Sequence, residues 1–350
     1  MSITAEDRSP RLAAASRPRR DPRPVAGSVD ELLVGATSRE PMKTSDSKSG
    51  ATFERVVIDG DRYVVKYLHP DDDWIMRVSG DVRCRPALIW QSGLLDAVPE
   101  SIDPAMVGCA VGLGRNGWGA ALLMRDCSEL MLPEGDDPVS LEVHLGFIDH
   151  MAELHAAMWE WQDDIGLLPV TSRYTEFSPL THAIEADRPE PEVVPRIVVA
   201  GWERFIEIAP QAVRVCRDLA DDSEPLRAAM AETPACFLHG DWKMGNLGTH
   251  PDGRTVLIDW AVSGRGAPCS ELVWYLALNR ARLPHAKEDT IAAYRSALER
   301  HGVPTAGWWH RQLPLALLGG LVQFGWEKAL GDPAELAWWC DRATEGLALL

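Results

Sequence analysis

The sequence of 350 residues has few cysteines, no C-x-x-C pair and no long apolar run. Its seven cysteines are an odd number at irregular spacing, which excludes a disulfide framework and a zinc ribbon and favours a reducing compartment. The longest apolar stretch, residues 313–325, spans about 13 residues, well short of the roughly 20 that cross a bilayer. The N-terminal residues also lack the apolar run of a secretion signal. We therefore expect a soluble, cytoplasmic protein.

Basic residues are also scarce, since 35 Lys and Arg stand against 52 Asp and Glu and give a net charge of −17. Residues 1–28 hold six arginines and three acidic residues, so the rest of the chain carries −20. An acidic body repels phosphate backbones and anionic lipids, which argues against nucleic acid or a membrane as a partner. Acidity would suit a cationic substrate, although it also serves solubility.

The remaining composition is that of a globular protein, with 46% hydrophobic and 25% charged residues, and the length predicts about two domains. Residues 1–27 are rich in Arg, Pro, Ala and Ser without apolar periodicity, so we predict a disordered tail. Residues 28–125 contain β-branched and aromatic runs, whereas residues 126–350 have mainly helical patterns. We predict an α+β protein with a small antiparallel-sheet lobe and a larger helical lobe.

Two hairpins are predicted in the smaller lobe. One turns around residues 59–61, and the other joins strands over residues 105–111 and 118–124. The connecting residues 112–117 match G-x-G-x-x-G, but the dinucleotide-binding fingerprint must open a helix and here a strand follows. We interpret these glycines as a hairpin turn. Helices are predicted over residues 86–95, 141–161, 202–219, 270–278, 290–300 and from 313 onward.

One β-rich segment interrupts the helical lobe. The turn residues 250–253, His-Pro-Asp-Gly, predict a hairpin between the short strands on either side. That hairpin brings Asn246 and Asp259 to the same end, and Asp241 stands at the entrance of the preceding loop. We expect three oxygen-bearing side chains to converge there.

Such a cluster has the composition that phosphoryl transfer requires. Mg²⁺ prefers one or two carboxylates, amide oxygens and waters, and completes its coordination with substrate phosphates. A separate carboxylate then orients the attacking hydroxyl, and D-x-x-x-x-N with a later Asp supplies both functions. The pattern H-G-D-x-x-x-x-N followed by I-D-W resembles the aminoglycoside phosphotransferase and choline kinase superfamily. The resemblance implies a bilobal protein-kinase-like fold, with Asp241 as catalytic base and Asn246 and Asp259 as magnesium ligands.

Two further residues of this loop are assigned beside the resemblance. Lys243 stands where relatives often have His, and its charge would neutralise the transferring phosphoryl group, so we count it as catalytic. We interpret His239 as a structural support of the loop rather than a catalytic group. His150 and His155 lie five residues apart on a helix, on different faces, and we assign them no metal site.

The smaller lobe should supply the nucleotide contacts. Lys66 ends a strand in V-V-K, which resembles the lysine that holds the α- and β-phosphates. The family's Glu partner for this lysine is missing from residues 71–96; Asp81 is the predicted substitute, and Asp71, Asp72 and Asp73 are alternatives. A polar segment replaces the glycine-rich loop and would either cradle phosphate or form a flexible loop. The nucleotide-binding candidates are Ser47, Lys48, Ser49 and Gly50 in that segment, with Met124 and Asp126 at the hinge.

The resemblance implies an ATP- or GTP-dependent, Mg²⁺-requiring transfer of the γ-phosphoryl group to a hydroxyl of an aminoglycoside, amino alcohol, sugar or related small molecule. A protein kinase is disfavoured, because only residues 260–270 separate Asp259 from Glu271, too few for a long peptide-binding segment. A catalytically weak or inactive nucleotide-binding scaffold is the alternative. Tryptophans of the helical lobe could enclose a cationic acceptor, although their spacing is more typical of a core: Trp308, Trp309, Trp326, Trp338 and Trp339.

Overall fold

A computed structural model describes residues 21–42, 49–190 and 192–350. Residues 1–20 of the predicted tail and the candidates Ser47 and Lys48 lie outside the described residues. The elements of the smaller lobe are α1 (Val29–Leu32), β1 (Ala36–Met42), β2 (Thr52–Ile58), β3 (Asp61–Leu68), α2 (Trp74–Val78), α3 (Arg85–Gln91), a 3₁₀ turn (Leu94–Ala97), β4 (Ile102–Asp103), β5 (Met106–Leu113) and β6 (Gly119–Arg125).

The smaller lobe, or N-lobe, is a five-stranded antiparallel sheet in the order β1-β2-β3-β6-β5. The β2–β3 turn places Asp59 and Gly60 at φ 53° and 93°, the positive values that a tight hairpin turn needs. Residues 112–117 form the end of β5 and the turn toward β6, with Val111 opposite Ala120, so their interpretation as a hairpin turn is confirmed. The hairpins put Lys66, near the end of the central strand β3, opposite Leu122 of β6.

Residues 21–27 do not form the predicted disordered tail. The Ala26 amide donates to the Cys109 carbonyl at 2.9 Å, and the Trp90 indole donates to the Pro24 carbonyl at 2.8 Å. The Arg23 guanidinium lies over the Trp90 ring, 4.4 Å from its centroid. The prediction is wrong for these residues because Arg23 lies over the Trp90 ring and the Pro24 carbonyl accepts from the indole N–H.

The larger lobe, or C-lobe, is mainly helical, as predicted. Short strands lie between its helices, and two of them, over residues 247–249 and 255–257, pair antiparallel. The elements are α4 (Leu141–Ala157), a 3₁₀ turn (Val170–Thr175), α5 (Pro179–Ala186), α6 (Val193–Ile208), α7 (Pro210–Asp221), α8 (Glu224–Ala231), β7 (Cys236–Leu238), a 3₁₀ turn (Met244–Asn246), β8 (Leu247–Thr249), β9 (Thr255–Leu257), β10 (Gly264–Gly266), α9 (Pro268–Leu278), a 3₁₀ turn (Arg280–Arg282), α10 (Lys287–Arg300), α11 (Trp309–Ala329) and α12 (Pro333–Leu347).

Two predicted helices are each divided in the structure. Proline lacks an N–H, so Pro210 begins a new helix, α7, directly after α6 ends. The segment from residue 313 onward is likewise two helices, because the Asp332 side chain caps α12 by accepting from the Ala334 amide at 2.9 Å.

Helix α11 lies at the centre of the C-lobe and packs against α6, α9 and α12. It is apolar on every side, and most of its residues are buried, as expected for an internal helix. Among the described helices, none combines the length and apolarity that a bilayer crossing requires. This core supports α9, the helix directly behind the loop that contains Asp241.

Candidate active site

The β8–β9 hairpin positions two of the three predicted oxygen-bearing side chains. Leu247 pairs with Leu257, and the amide of Ile258 donates to the carbonyl of Asn246 at 3.1 Å. Asn246 and Asp259 therefore lie at the same end of the hairpin, as the turn at residues 250–253 predicted. Asp259 adopts a positive φ of 66°, a strained conformation that Asp tolerates better than most residues.

The carboxylate of Asp241 is held at both oxygens. Its Oδ1 accepts from the Trp274 indole Nε1 at 2.8 Å, and its Oδ2 accepts from the Asn246 side-chain Nδ2 at 2.8 Å. Lys243 Nζ lies 3.0 Å from the same Oδ2. Asp241 is buried, whereas the Lys243 side chain is 36% exposed. The structure thus brings Asp241, Lys243 and Asn246 together.

Lys66 and Asp259 join the two lobes. Lys66 Nζ lies 2.9 Å from Asp259 Oδ1, across 193 residues of sequence. Burial alone would raise the pKa of Asp259, but the ion pair and hydrogen bond with Lys66, together with nearby Lys243 and His239, hold that pKa below its ordinary value. Asp259 is therefore anionic at neutral pH, and it faces the same cleft as Lys66.

The prediction that Asp81 partners Lys66 is wrong. Asp81 Oδ2 accepts from the Arg85 Nε at 3.2 Å and from the Arg85 backbone N at 3.0 Å. Both side chains are buried, so Arg85, four residues further on, satisfies this carboxylate. The partner that Lys66 has in the structure is Asp259.

The third carboxylate of this pocket belongs to Asp73. It caps α2 by accepting from the Met76 amide at 3.0 Å, and it lines the same cavity as Lys66, Asp81 and Asp259. Burial raises the pKa of Asp73, although the Met76 amide and the charge of Lys66 oppose that rise. Asp73 is the one of the three alternatives, Asp71, Asp72 and Asp73, that lines this pocket.

The remaining nucleotide-binding candidates that the structure describes lie in different places and have different contacts. Ser49 lines the Lys66 pocket, and its carbonyl accepts from the Trp74 amide at 3.1 Å, while Gly50 closely approaches the Asp72 carbonyl. Met124 lies in β6 opposite Val64. The Asp126 carboxylate accepts from Arg55 and Ser128, and its amide donates to the Arg62 carbonyl. The nucleotide contacts assigned to these residues stay predictions.

A buried carboxylate on α9 lies behind residues 239–259, the segment that contains Asp241, Asn246 and Asp259 and is termed the catalytic loop. Glu271 Oε2 accepts from the His239 amide at 3.2 Å and lies 2.8 Å from His155 Nε2, while its Oε1 accepts from the Gly240 amide. The side chains of His155 and Glu271 are fully buried. Sequence reasoning missed this support, because 116 residues separate His155 from Glu271.

His239 supports the same loop from inside. Its Nδ1 accepts from the Asp241 amide at 3.2 Å, and its Nε2 donates to the Ile258 carbonyl at 3.0 Å. Burial lowers the pKa of His239, so the ring is neutral with its proton on Nε2. Both ring nitrogens are used to fix backbone, which agrees with the structural role predicted for this histidine.

Three of the five tryptophans suggested as a cation cage belong to the core, and Trp308 and Trp338 are partly buried against it. Trp309, Trp326 and Trp339 are buried. Trp338 already faces two cations of the protein itself, with Lys287 Nζ 4.9 Å and the Arg342 guanidinium 5.7 Å from its ring centroid. The cage is not formed, because helical spacing placed these rings in packing positions.

The two-lobed fold, with a catalytic loop between its lobes, defines a kinase-like phosphotransferase. The family model described as "Phosphotransferase enzyme family" matches residues 48–303, which is more than half of the chain. The chain belongs to this family, and it is a small-molecule kinase. Among curated proteins, no sequence matches it.

Solved structures of low sequence identity share the fold. The amicoumacin kinase in complex with AMP-PNP, Ca²⁺ and amicoumacin is 12% identical, with a TM-score of 0.50 and 87% of each chain covered. The choline kinase LicA from Streptococcus pneumoniae is 13% identical, with a TM-score of 0.47, and the match covers 92% of this chain and 96% of that one. An aminoglycoside phosphotransferase from Streptomyces rimosus, in complex with ADP and streptomycin, is 14% identical with a TM-score of 0.45, covering 86% and 94%. At this identity the similarity shows the fold alone.

Proposed function

We propose that this protein transfers the γ-phosphoryl group of ATP or GTP to a hydroxyl of a small molecule, in a reaction that requires Mg²⁺. The observation that carries the proposal is the arrangement of Asp241, Asn246 and Asp259 on one loop and hairpin, with Lys66 of the N-lobe bonded to Asp259. A base, an amide, a second carboxylate and a phosphate-binding cation are the groups that this chemistry uses.

Asp241 would act as the catalytic base. Its carboxylate would accept the proton of the acceptor hydroxyl while that oxygen forms a bond to the γ-phosphorus and the bond to the β-phosphate oxygen breaks, releasing the nucleoside diphosphate. The Lys243 ammonium, 3.0 Å from Asp241 Oδ2, would offset the charge on the transferring phosphoryl group. Its partial exposure leaves it within reach of a substrate.

The donor chemistry at Asn246 and Asp259 fits Mg²⁺. The Asn246 Nδ2 donates to Asp241, which leaves the amide Oδ1 as its acceptor atom, and Asp259 supplies an anionic carboxylate. Two such hard oxygen ligands, with phosphate oxygens and water, suit an ion that keeps an octahedral shell. Within the described residues, no three His, Cys, Asp or Glu side chains form a metal cluster of their own. When bound, the ion would neutralise the β- and γ-phosphates.

Lys66 would bind the nucleotide phosphates from the N-lobe. Its side chain is only 9% exposed and opens on the pocket that Ser49 also lines. We propose that the segment containing Ser47, Lys48, Ser49 and Gly50 covers the phosphates. We also propose that Met124 and Asp126, at the hinge where β6 ends, face the purine ring of the nucleotide.

The acceptor is proposed to be a small alcohol such as an aminoglycoside, an amino alcohol or a sugar. Similar solved structures include choline, aminopropanol and amicoumacin kinases, and the net charge of −17 would favour an acceptor with an amine. A cytoplasmic location is proposed as well, supported by the free thiols of all seven cysteines.

The test is a mass-spectrometric screen of amino alcohols, aminoglycosides and sugars with MgATP and MgGTP. We expect one acceptor class to gain a single phosphoryl group. Asp241→Asn should lower its turnover by roughly 10²–10⁴-fold, because the positioned base is lost, while calorimetry gives a nearly unchanged nucleotide affinity. Unchanged turnover in this variant would refute the role of Asp241, and nucleotide binding without any phosphorylated product would support the scaffold alternative.

A further inference from the structure

The catalytic carboxylate has a hydrogen-bond donor that no sequence motif indicates. Trp274, on α9, is buried, and its indole Nε1 donates to Asp241 Oδ1 at 2.8 Å. Asn246 and Lys243 approach the opposite oxygen, Oδ2. An indole N–H is a donor only, so it cannot take the proton that the base receives. Its effect is to fix the rotation of the carboxylate about the Cβ–Cγ bond.

Arg173 holds the Trp274 ring in this position. The guanidinium carbon lies 3.8 Å from the centroid of the indole, and one guanidinium nitrogen donates to the Gly240 carbonyl, directly before Asp241. Glu176 pairs with Arg173 at 2.5 Å, and both side chains are buried. A cation over the indole face draws electron density from the ring, which strengthens the N–H as a donor. Arg173 thus contacts both Trp274 and the backbone of the catalytic loop.

We propose that Trp274 is a positioning residue for phosphoryl transfer, acting through Asp241 with Arg173 behind it. This inference rests on the proposed function, in which Asp241 is the base. With Oδ1 fixed from α9 and Oδ2 fixed from the loop, the carboxylate keeps one orientation toward the acceptor hydroxyl. A misplacement of about 1 Å at a reacting group costs on the order of 10²-fold in rate.

A matched control is available one residue from the base. Trp242 is fully buried beside Asp241, and its Nε1 has no hydrogen-bond partner among the described residues. Trp242→Phe and Trp274→Phe remove the same atoms from two buried indoles of the C-lobe. Only Trp274→Phe also removes a hydrogen bond to the base, so the difference between the two variants isolates that bond.

The kinetic test uses the acceptor that the screen identifies. We expect Trp274→Phe to lower kcat about 10- to 100-fold with the KM for MgATP unchanged, and Trp242→Phe to keep kcat within about threefold of wild type. Equal losses in the two variants, or a change in KM alone for Trp274→Phe, would show that the indole acts by packing and would overturn the proposal.

A second readout does not depend on an acceptor. In ¹⁵N-labelled protein, the Trp274 indole signal is assigned by its disappearance in Trp274→Phe. In Asp241→Asn it should move upfield, because a neutral amide oxygen accepts a weaker hydrogen bond than a carboxylate. An unmoved signal would overturn the proposal. If this signal moves but the screen yields no product, the proposed function fails while the Trp274–Asp241 bond stands.

Discussion

The catalytic loop and the N-lobe pocket cover similar lengths of sequence but are built differently. Between residues 241 and 259, a turn and one hairpin fix which groups meet, so each functional side chain has one position. Between residues 66 and 85, the charged side chains lie on or beside three separate elements, β3, α2 and α3. More than one aspartate there lies near the basic side chains of Lys66 and Arg85. In the catalytic loop, strand pairing within one hairpin therefore determines which side chains meet. In the N-lobe pocket, the packing of separate elements determines which aspartate pairs with which basic side chain.

The largest expected effect compares Gly240, directly before Asp241, with Gly60 in the β2–β3 turn of the N-lobe. Gly240 and Gly60 both have positive φ, at 84° and 93°, but a Cβ on Gly240 would lie 2.3 Å from the Val262 carbonyl oxygen, whereas Gly60 has no atom within 4 Å. Gly240→Ala should lower the free energy of unfolding by about 4 kcal/mol, through strain and overlap, and Gly60→Ala by about 1 kcal/mol. Urea unfolding measures both. Similar losses would contradict the view that the catalytic loop is the more tightly specified region.

Asp259→Ala tests the connection between the two regions. In the wild-type protein we expect Mg²⁺ to raise the nucleotide affinity roughly tenfold or more. The variant loses a proposed magnesium ligand and the partner of Lys66, so we expect this gain to disappear. Calorimetry with and without the metal measures this gain. Asp252→Ala, on the exposed turn of the same hairpin, is the control and should retain it. A metal-dependent affinity in Asp259→Ala would remove this residue from the site.

The smallest effect distinguishes two aspartates of the N-lobe pocket. Burial raises the pKa of Asp73, so its contribution to stability is present at low pH and is lost as pH rises through the folded-state pKa. Asp73→Asn keeps the cap on Met76 and should raise Tm at pH 7 by about 1–3 °C, a gain that shrinks toward pH 3.

Asp81→Asn should have the opposite sign. It leaves Arg85 buried without a carboxylate, and it should cost about 1 kcal/mol at pH 7. Scanning calorimetry across pH measures both aspartate variants. If Asp81→Asn also stabilised the protein at pH 7, the two carboxylates would be equivalent and the selection by packing would be wrong.

The sequence predicted the features that depend on neighbouring residues. The β2–β3 turn, the β5–β6 connection and the approach of Asn246 to Asp259 each follow from a short pattern with one physical solution. The division at Pro210 was also available from the sequence, because proline cannot continue the hydrogen bonding of a preceding helix.

The missed features depend on distant residues. Trp274 reaches Asp241 across 33 residues, and Arg173 reaches Gly240 across 67. No local spacing marks such pairs, since they arise only when α9 and the 3₁₀ turn Val170–Thr175 pack against the loop. The partner of Lys66 was mistaken for the same reason, because the ion pair with Asp259 crosses between the lobes.

The seven cysteines have a practical consequence for following the two lobes in solution. Six are buried and the seventh is half-buried, and burial raises the pKa of the Cys84 and Cys109 thiols to about 12. Maleimide dyes react with thiolates, which such sites hardly form near neutral pH. A cysteine engineered onto an exposed position of each lobe would therefore label selectively without removing the native ones. Fluorescence transfer between two such dyes would report directly on cleft closure.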